Sequence, residues 1–252
     1  MTGLLEARAL VRRHGGLVAV DHVDLTAEPG RVTAVIGPNG AGKTTLFDCL
    51  SGVQRPDEGT VRLDGRLLGA MDSDARSRLG LVRTFQRSSV FPTLTVAENL
   101  QVGAENRSRQ GTWRGLLGLP DADMRRAKAT VERLLVASGL AAVRDVPARQ
   151  LPTGTLRLVE LARALCGDPA VLLLDEPASG LDDREVDALS HQLRELARGG
   201  LTLVLVEHDI DLVVRLADVV YAMAEGRILA SGPPDAVVAR PEVRTTVLGL
   251  PA

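Results

Sequence analysis

Short apolar runs alternate along the chain with longer stretches in which apolar residues recur every three or four positions. Residues 32–36, 171–174 and 201–206 form such runs, and none shows the polar alternation of a strand with one exposed face. Continuous apolar runs of this length are typical of parallel strands that are buried on both faces. A fourth run, LVRTFQ, ends at Gln86. The pattern predicts an α/β fold around a parallel sheet.

Two stretches have the period of amphipathic helices. The first lies within residues 97–140, and the second within QLPTGTLRLVELARAL, residues 150–165. The second helix would begin at Pro152, Thr153, Gly154 and Thr155. Free N–H groups, hydroxyls and a glycine at a helix N-terminus suit a bound anion, but the same residue types are ordinary helix caps. The pattern alone leaves both interpretations open.

The strand at 32–36 leads directly into a glycine-rich motif. The stretch GPNGAGKT matches the phosphate-loop pattern G-x-x-x-x-G-K-S/T in full, and a helical pattern follows it. The candidate nucleotide-binding residues are Gly37, Pro38, Asn39, Gly40, Ala41, Gly42, Lys43, Thr44 and Thr45. In such a loop backbone N–H groups surround the phosphates, Lys43 reaches the β- and γ-phosphate oxygens, and the Thr44 hydroxyl ligates Mg²⁺. The alternative, a glycine-rich turn with an incidental lysine, does not explain a full match between strand and helix.

Polar residues end two further apolar runs. Asp175 and Glu176 follow residues 171–174, and His208 follows residues 201–206. Ligands of open α/β sheets bind at the carboxyl ends of the strands. Hydrolysis needs one carboxylate to hold Mg²⁺ and a second to polarise the attacking water, and this pair can supply both. A plain polar strand end is the alternative, and it is less common for two acids before a proline. We assign the metal to Asp175 and the catalytic role to Glu176. A lone histidine after a strand is more often structural, but as a third polar strand end His208 is a candidate γ-phosphate contact.

Composition excludes several classes of protein. The chain has 252 residues, 45% of them hydrophobic, so it can bury a full core. A net charge of −2 and the absence of a long basic run argue against a nucleic-acid surface. Cys49 and Cys166 lie in apolar helical patterns, which favours buried free thiols. The only lysines, Lys43 and Lys128, do not follow an asparagine, so the guanine-reading motif Asn-Lys-x-Asp is absent and a GTPase is disfavoured.

Membrane association, if any, is expected to be peripheral. No apolar run approaches the roughly 18–20 residues that a membrane-spanning helix needs. Charged residues also interrupt the N-terminus before an apolar stretch of signal-peptide type develops. We therefore expect a soluble chain when it is expressed alone.

In their order and spacing, these motifs resemble the ATP-binding cassette (ABC) ATPases over nearly the whole chain. The resemblance implies one cassette across 1–252, a P-loop NTPase with a RecA-like core. Its core and antiparallel β subdomain would occupy about 1–93 and 163–252, and an inserted α-helical subdomain about 94–162. The ligands would be ATP and Mg²⁺, with Gln86 contacting the metal and taking part in hydrolysis. Two cassettes would pair head to tail, so that the signature residues Thr153, Gly154 and Thr155 contact the nucleotide of the partner.

Within this family, three stretches resemble the ATPases of branched-chain (hydrophobic) amino-acid importers: VFPTLTVAENLQVG, PASGLDD and GRILASGPPDAVVARPEVRTTVLG. The expected partners are a second ATPase subunit, identical or different, permease subunits docking near Gln86 and residues 90–94, and an extracytoplasmic solute-binding protein. The chain would lie on the cytoplasmic face of the cell membrane. Cassettes for urea or lipopolysaccharide also resemble it. A non-transport ABC ATPase and a regulatory module that binds ATP without turnover are further alternatives.

Three positions depart from the family pattern. His14 lies where the family usually has an aromatic residue that stacks on adenine; imidazole offers less area, so a plain surface histidine is an equal alternative. Pro152 replaces the signature serine and supplies neither a hydroxyl nor an N–H group. Thr155 replaces the usual glutamine. The family context favours an altered but working anion site, because the following N–H groups and the hydroxyls of Thr153 and Thr155 remain.

Overall fold

The computed structural model describes residues 2–84, 90–105 and 122–249, without the side chains of 122 and 123. These residues divide into two compact units, Met1–Arg83 with Ala170–Ala252, and Thr84–Pro169. The range expected for the helical subdomain, 94–162, lies inside the second unit. The finer division of the chain into subdomains stays a prediction.

The first unit contains two sheets. Its strands, in chain order, are β1 (Leu5–His14), β2 (Leu17–Ala27), β3 (Val32–Ile36), β4 (Glu58–Leu63), β5 (Arg66–Leu67), β6 (Leu81–Arg83), β7 (Val171–Asp175), β8 (Thr202–Val206), β9 (Val219–Ala224) and β10 (Arg227–Gly232). A four-stranded sheet has the order β2-β1-β4-β5, and a six-stranded sheet has the order β10-β9-β3-β8-β7-β6.

The six-stranded sheet carries the predicted buried strands. Each pairing from β9 to β6 is parallel, whereas β10 is antiparallel to β9. Every residue of β3, β7 and β8 is buried, which explains why these strands consist mainly of apolar residues and lack a polar face. The predicted α/β fold is confirmed.

The four-stranded sheet is antiparallel and begins at the N-terminus. β1 pairs with β2 from Leu5–Ala27 to His14–Leu17, and its other edge pairs with β4. Residues such as Leu5 and Leu10 lie in the same apolar core as Phe47, Val35 and other residues around the larger sheet.

The α-helices of the described residues divide between the two units. They are α1 (Lys43–Ser51), α2 (Ser73–Arg78), α3 (Val96–Glu105), α4 (Ala122–Ala137), α5 (Thr153–Leu165), α6 (Asp183–Arg198), α7 (Ile210–Leu216), α8 (Pro234–Val238) and α9 (Pro241–Thr246). Of these, α3, α4 and α5 belong to the second unit. Among the described residues, none of these helices has the length and apolar character to cross a bilayer.

The second unit has its own apolar core between α3, α4 and α5. Val96, Leu100, Leu135 and Val159 are among its buried residues, at the helical spacing expected from the sequence. Two reciprocal contacts cap α3: the Glu98 carboxylate accepts a hydrogen bond from the backbone N–H of the preceding Thr95, whose hydroxyl accepts from the N–H of Glu98.

Candidate nucleotide-binding site

The topology of the large sheet brings the candidate residues to one edge. β3, β8 and β7 are adjacent and parallel, so their carboxyl ends lie side by side. The glycine-rich loop leaves β3, Asp175 ends β7, and Glu176 follows it directly. His208 comes two residues after the end of β8. Three segments that are far apart in sequence therefore meet at one site.

Close approach of the backbone explains two glycines of the phosphate loop. A Cβ atom on Gly37 would lie 2.2 Å from the carbonyl oxygen of Met223, and one on Gly42 would lie 2.1 Å from that of Ala19. Gly42 is also left-handed, with φ 101°, and it is the N-cap of α1 without any side-chain cap. The first-turn N–H groups of α1 therefore face the loop, an arrangement suited to phosphate.

Lys43 places its charge inside this loop. Its side chain is buried, and its Nζ donates hydrogen bonds to the carbonyl oxygens of Gly37 at 2.6 Å and Pro38 at 2.9 Å. Burial lowers the pKa of Lys43, while the nearby charges of Glu176 and Asp175 oppose that change. An ammonium in this position can be shared with the outer phosphates of a nucleotide.

Glu176 and His208 form a hydrogen-bonded pair at the same edge. Oε1 of Glu176 lies 2.8 Å from Nε2 of His208. The backbone of Glu176 is left-handed, with φ 48°, an unusual conformation for a residue other than glycine. Such strain is frequent at functional sites, where it aims a side chain. The carboxylate is 27% exposed, so it is accessible to a water molecule.

Glu207, between β8 and His208, was not assigned a role from the sequence. It is buried, and its two carboxylate oxygens accept hydrogen bonds from the N–H groups of Ala178 at 2.9 Å and His208 at 3.1 Å. Burial raises the pKa of Glu207 above its ordinary value, and these backbone hydrogen bonds oppose the shift. Glu207 thus joins the segment after Glu176 to the backbone of His208. A cavity of ≈ 470 Å³ is lined by Glu207 and His208 together with Gly37, Pro38, Asn39, Val247 and Leu248.

Asp175 fits the expected ligand of a hard cation. Asp175 is only 2% exposed. Its Oδ2 accepts a hydrogen bond from Nη2 of Arg83 at 2.8 Å, whereas its Oδ1 has no hydrogen-bond partner among the described residues. A buried carboxylate oxygen in that condition suits metal coordination. The described residues hold no cluster of three or more His, Cys, Asp or Glu able to bind a metal alone. Mg²⁺ at phosphate sites needs only one or two protein ligands, so Thr44 and Asp175 suffice.

The signature segment begins α5 without a side-chain cap. Pro152 is the N-cap residue and makes no side-chain cap hydrogen bond, while Thr153 and Thr155 lie inside the helix. Thr153 and Thr155 therefore do not act as caps, contrary to the capping interpretation of their hydroxyls. Gly154 is buried in the first turn. A helix start without a side-chain cap is compatible with a bound anion, and anion binding by this segment stays a prediction.

Two further candidates have different outcomes. His14 is exposed at the end of β1, in a hairpin whose return strand contacts Gly42 through Ala19. That position is compatible with an adenine contact, which stays a prediction. Gln86 lies outside the described residues.

The fold and the site define a P-loop nucleotide-binding protein. Residues 20–179 match the family model described as "ABC transporter". The chain is 37% identical to the high-affinity branched-chain amino acid transport ATP-binding protein LivG of Escherichia coli strain K12, over 98% of both chains. It is 36% identical to BraF of Pseudomonas aeruginosa, a protein of the same description, again over 98% of both.

A solved structure agrees with the sequence relatives. The ADP conformation of an ATP-binding cassette from an ABC transporter superposes with a TM-score of 0.85 at 29% identity, covering 98% of this chain and 99% of that one. The chain therefore belongs to the ABC transporter family, and it is an ATP-hydrolysing cassette of that family.

Proposed function

We propose that ATP hydrolysis by this chain powers the import of branched-chain or other hydrophobic amino acids through separate permease subunits. The observation that carries this proposal is the 37% identity to LivG over 98% of both chains. BraF, from a different bacterium, supports the same substrate class.

The site supports a division of roles in hydrolysis. Bound Mg²⁺ would neutralise charge that develops on the β- and γ-phosphates. Thr44 and Asp175 would hold the ion, together with Gln86. Lys43 and the loop N–H groups orient the phosphates. Glu176 polarises the attacking water, and His208, hydrogen-bonded to Glu176, keeps that carboxylate aimed and contacts the γ-phosphate.

The proposed assembly gives the signature segment, residues 153–155, a role at a subunit interface. Thr153, Gly154 and Thr155 would contact the nucleotide bound to the phosphate loop of a second cassette, identical or different, in a head-to-tail pair. Adenine would stack on His14. The permeases would dock near Gln86 and residues 90–94, on the cytoplasmic face of the membrane, and an extracytoplasmic solute-binding protein would deliver the amino acid.

Reconstitution tests the transport assignment. The chain is purified with its native membrane complex, inserted into liposomes that contain ATP, and assayed for uptake of radiolabelled leucine in the presence of the solute-binding protein. We expect uptake that requires internal ATP and competes with isoleucine and valine but not with urea. Lys43→Ala in the same complex should abolish it. ATP-dependent uptake of urea instead of leucine would contradict the proposed substrate while leaving the ATPase assignment intact.

A further inference from the structure

Arg83, at the end of β6, joins the Asp175 carboxylate to the helix that follows the phosphate loop. Its Nη2 donates to Oδ2 of Asp175 at 2.8 Å, and its Nη1 donates to Oδ1 of Asp48 at 2.5 Å and to the hydroxyl of Ser51 at 3.3 Å. The guanidinium also lies 5.7 Å from the ring centre of Phe47. Three of these four partners belong to α1, which begins at Lys43.

This cluster is shielded from solvent. The side chains of Arg83, Asp175 and Asp48 are 6%, 1% and 15% exposed. Ion pairs with so little solvent contact fix geometry, because breaking one leaves a charge in a poorly solvated place. The planar guanidinium can donate to two carboxylates at once in fixed directions, which a lysine ammonium on a flexible stem cannot reproduce.

The two oxygens of Asp175 consequently differ. Arg83 occupies Oδ2, while Oδ1 has no hydrogen-bond partner among the described residues. Asp48 holds the other side of the guanidinium and is one helical turn beyond Thr44 on α1. The orientation of Asp175 is thereby tied to the helix that carries the Thr44 hydroxyl.

We infer that Arg83 is a positioning residue for the metal: it fixes the Asp175 side chain so that Oδ1 remains available to the ion. The Thr44 hydroxyl would contact the same ion. The inference rests on the proposed role of Asp175 as an Mg²⁺ ligand. Residues that orient a metal-ligating carboxylate through a hydrogen bond typically change metal affinity by about 10–100-fold when they are replaced.

The test measures metal affinity directly, without turnover. Mn²⁺, whose free concentration is read by electron paramagnetic resonance, is titrated into the full chain with ADP kept below the protein concentration. The Mn²⁺ bound by the same ADP without protein is subtracted. Arg83→Lys should weaken Mn²⁺ binding by about 10-fold or more, approaching the loss caused by Asp175→Asn. ADP affinity in EDTA should stay at the wild-type value, because the phosphate loop is unchanged. Arg198→Ala, which removes an exposed ion pair with Glu195, is the matched control and should bind Mn²⁺ like the wild type.

A second variant keeps the inference testable if Arg83→Lys does not fold. Asp48→Ala leaves the contact between Arg83 and Asp175 but removes the anchor on α1, so it should weaken Mn²⁺ binding in the same direction by a smaller factor. Wild-type Mn²⁺ affinity in a folded Arg83→Lys protein, or in Asp48→Ala if only that variant folds, would overturn the inference. A wild-type chain without ADP-dependent Mn²⁺ binding would instead contradict the proposed metal site, and the positioning role with it.

Discussion

At the scale of single residues, the contact between Glu176 and His208 has the clearest chemical consequence. The left-handed backbone of Glu176 directs its carboxylate towards the end of β8, where Nε2 of His208 lies 2.8 Å away. In the proposed mechanism His208 would hold the base in place rather than act as the base itself.

Replacing the base should separate binding from hydrolysis. Glu176→Gln keeps the size and the hydrogen-bonding oxygen of the side chain but removes the base, so phosphate release should fall by about 100-fold or more. ATP affinity, measured by equilibrium binding, should be unchanged. With Mg-ATP the variant should elute as a dimer in size-exclusion chromatography, because the nucleotide that joins the subunits is not consumed. Glu195→Gln, on the exposed face of α6, is the control and should retain turnover.

At the scale of elements, substitutions in the first turn of α5 test whether this segment binds an anion or is only the start of a helix. Gly154→Asp adds a Cβ and a carboxylate where a phosphate of the partner subunit would approach. We expect ATP to bind each monomer while dimer formation and hydrolysis are lost. Pro152→Ser restores a donor and should leave activity equal or higher. If Gly154→Asp changed only the unfolding free energy, by the roughly 0.5–2 kcal/mol of a cap, and kept normal turnover, this segment would not contact nucleotide.

The end of α1 depends on a buried arginine from α2. Arg76 is 1% exposed, and its guanidinium donates to the carbonyl oxygens of Cys49, Leu50, Gly69 and Met71. Two of these carbonyls belong to the last turn of α1, where a cation also favours the helix dipole. Burial lowers the pKa of Arg76, yet the carbonyl groups still surround a charged donor.

Removing this donor should destabilise the first unit. Arg76→Met retains apolar volume but leaves several buried carbonyls without their donor, so the free energy of unfolding should fall by about 3 kcal/mol or more. Urea denaturation followed by circular dichroism measures the change. Arg78→Ala, from the exposed end of the same helix, should stay within about 0.5 kcal/mol of the wild type. If both variants lost the same free energy of unfolding, the buried hydrogen bonds of Arg76 would not contribute to stability as we expect.

At the scale of the whole molecule, the two cysteines report on the integrity of both units. Burial raises the pKa of Cys49, in the first unit, to about 11 and that of Cys166, in the second, to about 12. The reactive thiolate is therefore scarce at pH 8 and is also inaccessible. Neither thiol of the native protein should react with a disulfide reagent within minutes at pH 8, whereas both should react in urea. Rapid reaction of one thiol under native conditions would show local opening of its unit.

Much of the fold and part of the site followed from the sequence, for a physical reason. Strands buried on both faces must be continuously apolar, and a phosphate loop needs its glycines, so these features leave local patterns. The cluster of Arg83, Asp48 and Asp175 leaves no local pattern in the sequence, because Asp48 and Asp175 lie 35 and 92 positions from Arg83. Arg76 likewise lies in a segment, SDARSR, whose charged and polar residues give no sign that one side chain is buried. Such pairings depend on neighbours that only the folded chain provides.

The strand order has a consequence for the synthesis of the protein. Only β3 and β6 of the six-stranded sheet precede residue 170, and they are not neighbours: β3 pairs with β8 and β9, and β6 pairs with β7. A nascent chain emerging N-terminus first can complete the antiparallel sheet early, but β3 and β6 have no partner strand in the larger sheet until the last third of the chain has been made. Exposed strand edges of this kind promote aggregation. The phosphate loop, residues 37–45, is therefore synthesised long before β7 and β8, the strands that bring Glu176 and His208 to the same edge of the sheet.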